Sequence, residues 1–385
     1  MKNKKLFIFI AILIAIPLLM LIFWLLKPKK KLVVAIIDKT VLTSDGQEHI
    51  SLTWILNHER ITKTSAKGYN ISNDYFGFFP KDNEKFRLKG LERFNSNQLK
   101  QLSDDADMAY FTDTYGIYKK EWYNENTSER SSGILYGGLS DNDLNFLALM
   151  KAKKKLIITE FNTIGSPTSP EKRSQFETMF GMHWTGWTAR YFESLDTIRN
   201  TELPKWLIKN YKKANDNKWT FKRAGIAFVS DLDQVVILED TTHLTNGIPL
   251  IISSKYGIEK LGLPEKIKYP FWFDVIVPNN KINKNIADFE ISTNKKGKAE
   301  LAKYNIPAKF PAVLMHNDSD YQFYYFSGDF CDNPVSMTSS YFRAIEWFKF
   351  LMYDTEDKME RKSFFWNFYK PLMTTILKEQ VDNKK

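Results

Sequence analysis

The feature that most constrains this chain is the stretch from Leu6 to Leu26, LFIFIAILIAIPLLMLIFWLL, which carries no charged residue. At about 1.5 Å of rise per residue, such a run can cross a hydrocarbon core of roughly 30 Å. Pro17 lies inside it, but spanning helices accommodate proline by local backbone adjustment. The rival reading is a cleaved signal peptide, because Lys2, Lys4 and Lys5 form a basic leader. The run exceeds the usual apolar length of about 7 to 15 residues, and it ends in Trp24-Leu25-Leu26-Lys27 without a small-x-small cleavage pattern. The sequence therefore predicts a retained single-pass anchor in contact with membrane lipid. Lys27, Lys29, Lys30 and Lys31 on the far side blunt the positive-inside signal; the expected placement of the globular part is extracytoplasmic.

The formal charge of +10 invites a nucleic-acid partner, but seven lysines flank the apolar run, leaving 10 − 7 = +3 after residue 31. That near-neutral balance argues against nucleic acid and assigns the basic character to the flanks. Cys331 is the single cysteine, so an internal disulfide and a cysteine metal cluster are both excluded.

After residue 31 the pattern alternates. An apolar strand, LVVAII, precedes the polar stretch 38–47 and an amphipathic segment 48–57. MAYFT ends at Asp113, ILY at 134–136 stops at Gly137-Gly138, and KLIIT runs into Glu160-Phe161-Asn162. Ser140 with Asp143, and Thr168 with Glu171, offer capping boxes for the helices that follow. The alternation predicts an α/β fold with a mostly parallel sheet covered by helices on both faces, flavodoxin-like in outline. The second half reads as hairpins, best signalled by PAVLMH and YQFYYF around Asn317 to Asp320, with closing helices over 341–353 and 364–378. The expected division is an anchor over 1–31, an α/β core over 32–200, and a hairpin-rich and helical part over 201–385 that completes the same unit.

Open α/β sheets bind ligands at the carboxyl ends of their strands. Asp38 and Lys39, Asp113, and Glu160 with Asn162 all fall at predicted strand ends, and Glu48 and His49 open the first helix on that edge. Two carboxylates in one crevice suit general acid and base or nucleophile work, and Glu160, Asp113 and Asp38 are the candidates. Taken singly, Asp38, Asp113 and Asn162 are equally well read as turn residues. Gly137 and Gly138 can bring backbone amides to an anion or serve a tight turn. In HWTGWTARYF, Trp184, Trp187 and Arg190 offer either a stacking wall for a sugar or ordinary core packing.

The order of ILY with Gly137-Gly138, a helix, and KLIIT with its sharp turn resembles the class I glutamine amidotransferase-like fold, including its trehalose-utilisation and β-galactosidase-trimerisation relatives. YYFSGDF at 324–330 is similar to a late strand and turn of such domains. The resemblance implies a nucleophile elbow at Glu160 or Phe161. The elbow here reads TEFN and holds no cysteine, which argues against thiol-based glutamine hydrolysis and transfers no catalytic residue.

Three readings follow. The first is a membrane-tethered binding or scaffold protein of the cell envelope, with a polysaccharide or envelope protein as partner and a link to polysaccharide synthesis or export. The alternative is a carbohydrate-active hydrolase using the edge carboxylates. The third is a metal-dependent hydrolase using Glu48, His49 and Asp113. No cofactor is assigned by any motif.

Overall fold

Strand directions decide this architecture, and they divide one large sheet into two regimes. The computed structural model describes residues 2–45, 47–123 and 133–383. Ten strands lie side by side in the order Lys266–Lys268, Leu250–Ser253, Lys284–Glu290, Lys309–Asn317, Gln322–Phe326, Leu156–Glu160, Met108–Asp113, Val34–Asp38, Phe76–Pro80 and Phe86–Leu88. From Gln322–Phe326 to Phe76–Pro80 the neighbours are parallel. On both flanks they are antiparallel. The expected mostly parallel sheet is thus corrected to a mixed sheet, with antiparallel pairings more numerous than parallel ones. The reason is visible in the register: the hairpin of Lys309–Asn317 and Gln322–Phe326 adds to the edge of Leu156–Glu160 and carries the meander of the second half into the same sheet.

A second correction concerns ILY. Ile134–Tyr136 pairs with Ile117–Tyr118 in a separate two-stranded ribbon and takes no place in the large sheet. With three residues, one of them exposed, it is too short and too wet to serve as a central strand.

Both faces of the parallel region are covered. Val34 and Ile36, Met108 and Tyr110, and Leu156 and Ile158 face the helix Ile50–His58 and the C-terminal segment from Phe364 to Val381. Ala35 and Ile37, Phe111 and Ile157 face the helices Ser96–Asp105, Asp141–Ala152 and Pro170–Phe180. The alternation within each strand is what a two-residue side-chain period requires. Ser140 caps Asp141–Ala152 through the expected box with Asp143. Ser169, not Thr168, caps Pro170–Phe180, and Gly181 closes that helix at φ 64°. Thr168 is drawn away because its hydroxyl bonds Leu139 N and Thr163 O.

A four-stranded antiparallel sheet, in the order Val235–Glu239, Gly225–Ser230, Met182–Phe192 and Phe273–Pro278, lies beyond. The helix expected over 341–353 is instead two 3₁₀ segments, Met337–Tyr341 and Ile345–Leu351, interrupted at Ala344 with φ 63°. The closing helix runs from Lys362 through a π-turn at Phe365–Tyr369 to Asp382.

The tract expected to anchor the chain forms the helix Lys2–Leu26, in which the side chains of residues 2, 3, 5, 8–10 and 12 lie outside the described ones. Among the described residues, no helix is long and apolar enough to cross a membrane. The single-pass anchor and the extracytoplasmic placement are corrected accordingly. The end of this helix is attached to the globular body. The Trp24 indole donates to Asn57 O at 3.1 Å, its ring meets Tyr341 edge-on, and Arg60 donates to the terminal carbonyls of Trp24 and Leu25.

The helical face of the sheet depends on stacked rings. Phe323 is fully buried, and its ring lies 4.1 Å from that of Phe180 with an interplanar angle of 11°. Phe323→Ala is expected to lower unfolding free energy by about 3–5 kcal/mol, read from urea midpoints at constant slope.

Candidate functional site

The parallel register brings the carboxyl ends of distant strands to one edge. Asp38 stands opposite Asp113, and Glu160 stands opposite Phe326. Because Gln322–Phe326 is parallel to Leu156–Glu160, the turn after it, carrying Asp329 and Asp332, arrives at this edge too. A cavity of about 320 Å³ opens there, lined by Glu48, Asp113, Asp329, Asn162 and Thr40 and by the indoles of Trp184, Trp206 and Trp272.

Asp113 is the best-held carboxyl of the cavity. Its Oδ1 accepts from Thr40 Oγ1 at 2.8 Å and from the Tyr115 amide, and its Oδ2 accepts from Asn162 Nδ2 at 3.1 Å. Thr40 Oγ1 also accepts from Gly116 N at 2.8 Å, so the hydroxyl is fixed between two strand ends. Burial pushes the Asp113 carboxyl up to about 8 in spite of those donors, and the charge of Asp329 adds to the rise. Burial likewise drives Glu48 well above the ordinary carboxylate range, helped by Asp329, Asp332, Asp113 and Asp38. Asn162 takes φ 64°, so the strained turn expected at Glu160 or Phe161 falls one position later. An asparagine tolerates that conformation better than most residues.

Other expected residues serve the frame around the cavity. Glu160 is completely buried: Tyr110 OH donates to Oε1, while Phe330 N and Cys331 N donate to Oε2 at 3.1 and 3.0 Å. Burial raises this carboxyl well above its ordinary value. It holds the turn that carries Asp329 and is not among the residues that line the cavity. Asp38 accepts Thr40 N at 3.1 Å and meets His49 Nδ1 at 2.5 Å. His49 Nε2 lies 2.8 Å from Ile71 O, an atom that only accepts, so Nε2 carries a proton and Nδ1 shares one with Asp38. Both nitrogens being engaged, His49 is not placed as the nitrogen ligand of a metal.

Lys39 is buried and gives its charge to Asp143 at 2.6 Å and a second donor to Gly138 O at 2.9 Å. Gly137 and Gly138 serve close approach. A Cβ on Gly137 would stand 2.6 Å from Tyr115 O, Gly138 has φ 73°, and its amide is taken by Thr114 O at 2.7 Å. Trp187 packs into the core, edge-on to Tyr304, whereas Trp184 lines the cavity with its indole donating to Trp187 O at 2.9 Å. Arg190 lines a neighbouring cavity and bonds Glu202 at 2.8 Å.

Sequence reasoning missed Asp329, Asp332, Arg361, Trp206 and Trp272. The available signal was YYFSGDF: once its strand is parallel to KLIIT, the aspartate after it must lie on the binding edge. Glu48, Asp329 and Asp332 each offer a carboxylate oxygen within 4.8 Å of the others, the donor type for a hard cation. Arg361 already supplies positive charge to that cluster, donating to Asp332 Oδ2 at 2.7 Å and to Asp329 Oδ2 at 3.0 Å.

No family model matches this sequence, and no curated protein matches it. Solved structures similar to it include a ThuA-like protein from Parabacteroides merdae ATCC 43184, at 10% identity and a TM-score of 0.36, covering 78% of this chain and 79% of that one. A carbohydrate deacetylase matches at 10% identity and a TM-score of 0.31, covering 78% of this chain and 29% of that one. A β-galactosidase from Bacillus circulans sp. alkalophilus matches at 9% identity and a TM-score of 0.26, covering 60% of this chain and 22% of that one. This chain therefore spans under a third of the two carbohydrate enzymes. The ThuA-like neighbour is of the trehalose-utilisation kind named from the sequence. At these TM-scores the likenesses carry no functional argument.

Asp113 gives the site a pH signature. Its folded value, about 8, lies above an unfolded value of about 3.9, so the native state binds the proton more tightly. The stability it contributes is complete below the unfolded value and is lost as pH rises through the folded one. Asp113→Asn, which keeps a neutral side chain, is expected to lose less stability than the wild type between pH 5 and pH 8.5; equal slopes in urea titrations across that window would contradict the assignment.

Proposed function

We propose that this protein binds a saccharide in the cavity at the carboxyl edge of its sheet. One observation carries the reading: Glu48, Asp113 and Asp329 share a cavity with three indoles. Sugar rings present apolar faces that lie against aromatic side chains and hydroxyls that donate to carboxylates. Trp206 and Trp272 are only half-buried, which leaves ring surface for a ligand. Asn162, fixed by Asp113, adds an amide with both donor and acceptor character. The carboxyl–indole arrangement supports a carbohydrate-related role independently of the distant neighbours.

A second reading is favoured by the unequal surroundings of Glu48 and Asp329. Glu48 is driven towards its protonated form by burial and by neighbouring carboxylates, as a general acid requires. Asp329 is ion-paired with Arg361, as a nucleophile requires. Their oxygens come within 4.8 Å of each other, close to the separation of about 5–5.5 Å used in retaining glycoside hydrolysis. On this reading the acid protonates the leaving oxygen and the second carboxylate attacks the anomeric carbon.

Calorimetric titration of the full chain with neutral oligosaccharides tests the binding reading. Trp206→Ala is expected to weaken binding by about tenfold, the cost of one lost stacking surface; unchanged affinity would remove the indole wall from the argument. A 2-deoxy-2-fluoro glycoside distinguishes hydrolysis from binding. A covalent adduct on Asp329, absent in Asp329→Asn, supports turnover, and its absence with a ligand that binds leaves a binding protein.

A further inference from the structure

A second cavity, about 640 Å³ in volume, adjoins the first through two shared walls, Trp272 and Asp329. The two form one cleft, and the second part differs in charge chemistry. Arg190, Arg199 and Arg361 line it. Arg190 lies over the Phe192 ring at 5.1 Å and Arg361 over the Phe271 ring at 4.3 Å, so both guanidinium planes are held by aromatic faces.

Arg190 gives one terminal nitrogen to Glu202 and Arg361 gives both of its own to Asp329 and Asp332, yet each guanidinium keeps one donor that the protein does not use. The Nε atoms of Arg190 and Arg361 are buried without a hydrogen-bond partner, which leaves a desolvated donor on each. Arg199 approaches Asp196 only at 4.0 Å and is 84% exposed. The carboxylates on the same walls are largely committed: Glu202 to Arg190, Asp329 to Arg361, and Asp357 to the Met359 amide at 2.8 Å. Glu193 is exposed. Glu202, itself 66% exposed, is a partner that an incoming carboxylate can displace at little cost, because exposed ion pairs are weak.

We propose that this arginine-lined cavity is a subsite for an acidic sugar, a uronate whose carboxylate pairs with Arg190 and Arg199 while the adjoining residue of the same oligosaccharide occupies the tryptophan-lined cavity. The proposal rests on the saccharide reading of that cavity. Planar guanidinium groups recognise carboxylates through paired, charge-assisted hydrogen bonds, whereas the carboxyl-rich first cavity repels the same charge. The cleft therefore imposes an order on its ligand: neutral unit against the indoles, acidic unit against the arginines.

The test is calorimetric titration of the full chain with an aldobiouronate, one neutral sugar joined to one uronate, and with its methyl ester, in the wild type and in Arg199→Gln and Arg190→Lys. The acid is expected to bind about tenfold tighter than the ester, and Arg199→Gln to erase most of that difference while shifting ester affinity by less than about twofold. Added salt is expected to weaken the acid selectively. Equal binding of acid and ester, insensitive to both variants, overturns the acidic subsite and leaves the saccharide reading standing. Failure of both ligands and of neutral oligosaccharides to bind overturns the two together. Circular dichroism of Arg199→Gln separates either outcome from misfolding.

Discussion

The buried carboxyl of Glu160 is the interaction on which the binding edge depends. It ends the central strand Leu156–Glu160 and receives Tyr110 OH from one side and the amides of Phe330 and Cys331 from the other. Three donors on one desolvated carboxyl tie the neighbouring strand to a turn that lies 170 residues later in the chain. That turn carries Asp329 and Asp332, and Arg361 clamps it from the C-terminal segment. A short or apolar residue at position 160 would leave these donors unsatisfied in the interior, where each carries a cost of about 1–3 kcal/mol.

Above this frame the cavity concentrates carboxyl groups in a place that disfavours their charge. Desolvation is the largest cause of the upward shifts of Asp113 and Glu48. The charge of Asp329 acts in the same direction on both. Arg361 offsets part of the repulsion, and Lys39, the other nearby cation in the sequence pattern, is withdrawn to Asp143. The carboxyls are therefore divided into groups that burial drives towards the protonated form and one that is held in an ion pair, without any one residue type being special. Such a division is what gives two carboxyl groups separate roles in a single site.

Much of the site was legible locally. A strand followed by a turn rich in Asp, Asn and Thr announces itself in a short window, and Asp113, Glu48 and Asn162 were found that way. Lys39, His49, Asp38 and Glu160 were found by the same signal, yet their partners turned them inwards. Whether a polar residue at a strand end faces solvent or is consumed by Asp143, Ile71 or Cys331 depends on groups that no local window contains. The glycine pair was legible as a turn, and its purpose, room for Tyr115 and Gly116, required the packed ribbon.

What the sequence by itself determined is the alternation of apolar strands and amphipathic helices around residues 34–180, the hairpin of 309–326, and a row of carboxyls at strand ends. These follow from side-chain periodicity, which is a property of consecutive residues. Tertiary structure alone decided that the hairpin joins the parallel strands, that the sheet is mixed, that the terminal apolar helix is fastened to the body by Trp24 and Arg60, and that Asp329, Arg361, Trp206 and Trp272 complete the cleft. Strand partners and directions are set by hydrogen bonds between distant segments, and periodicity records how much of a residue is buried without recording against what.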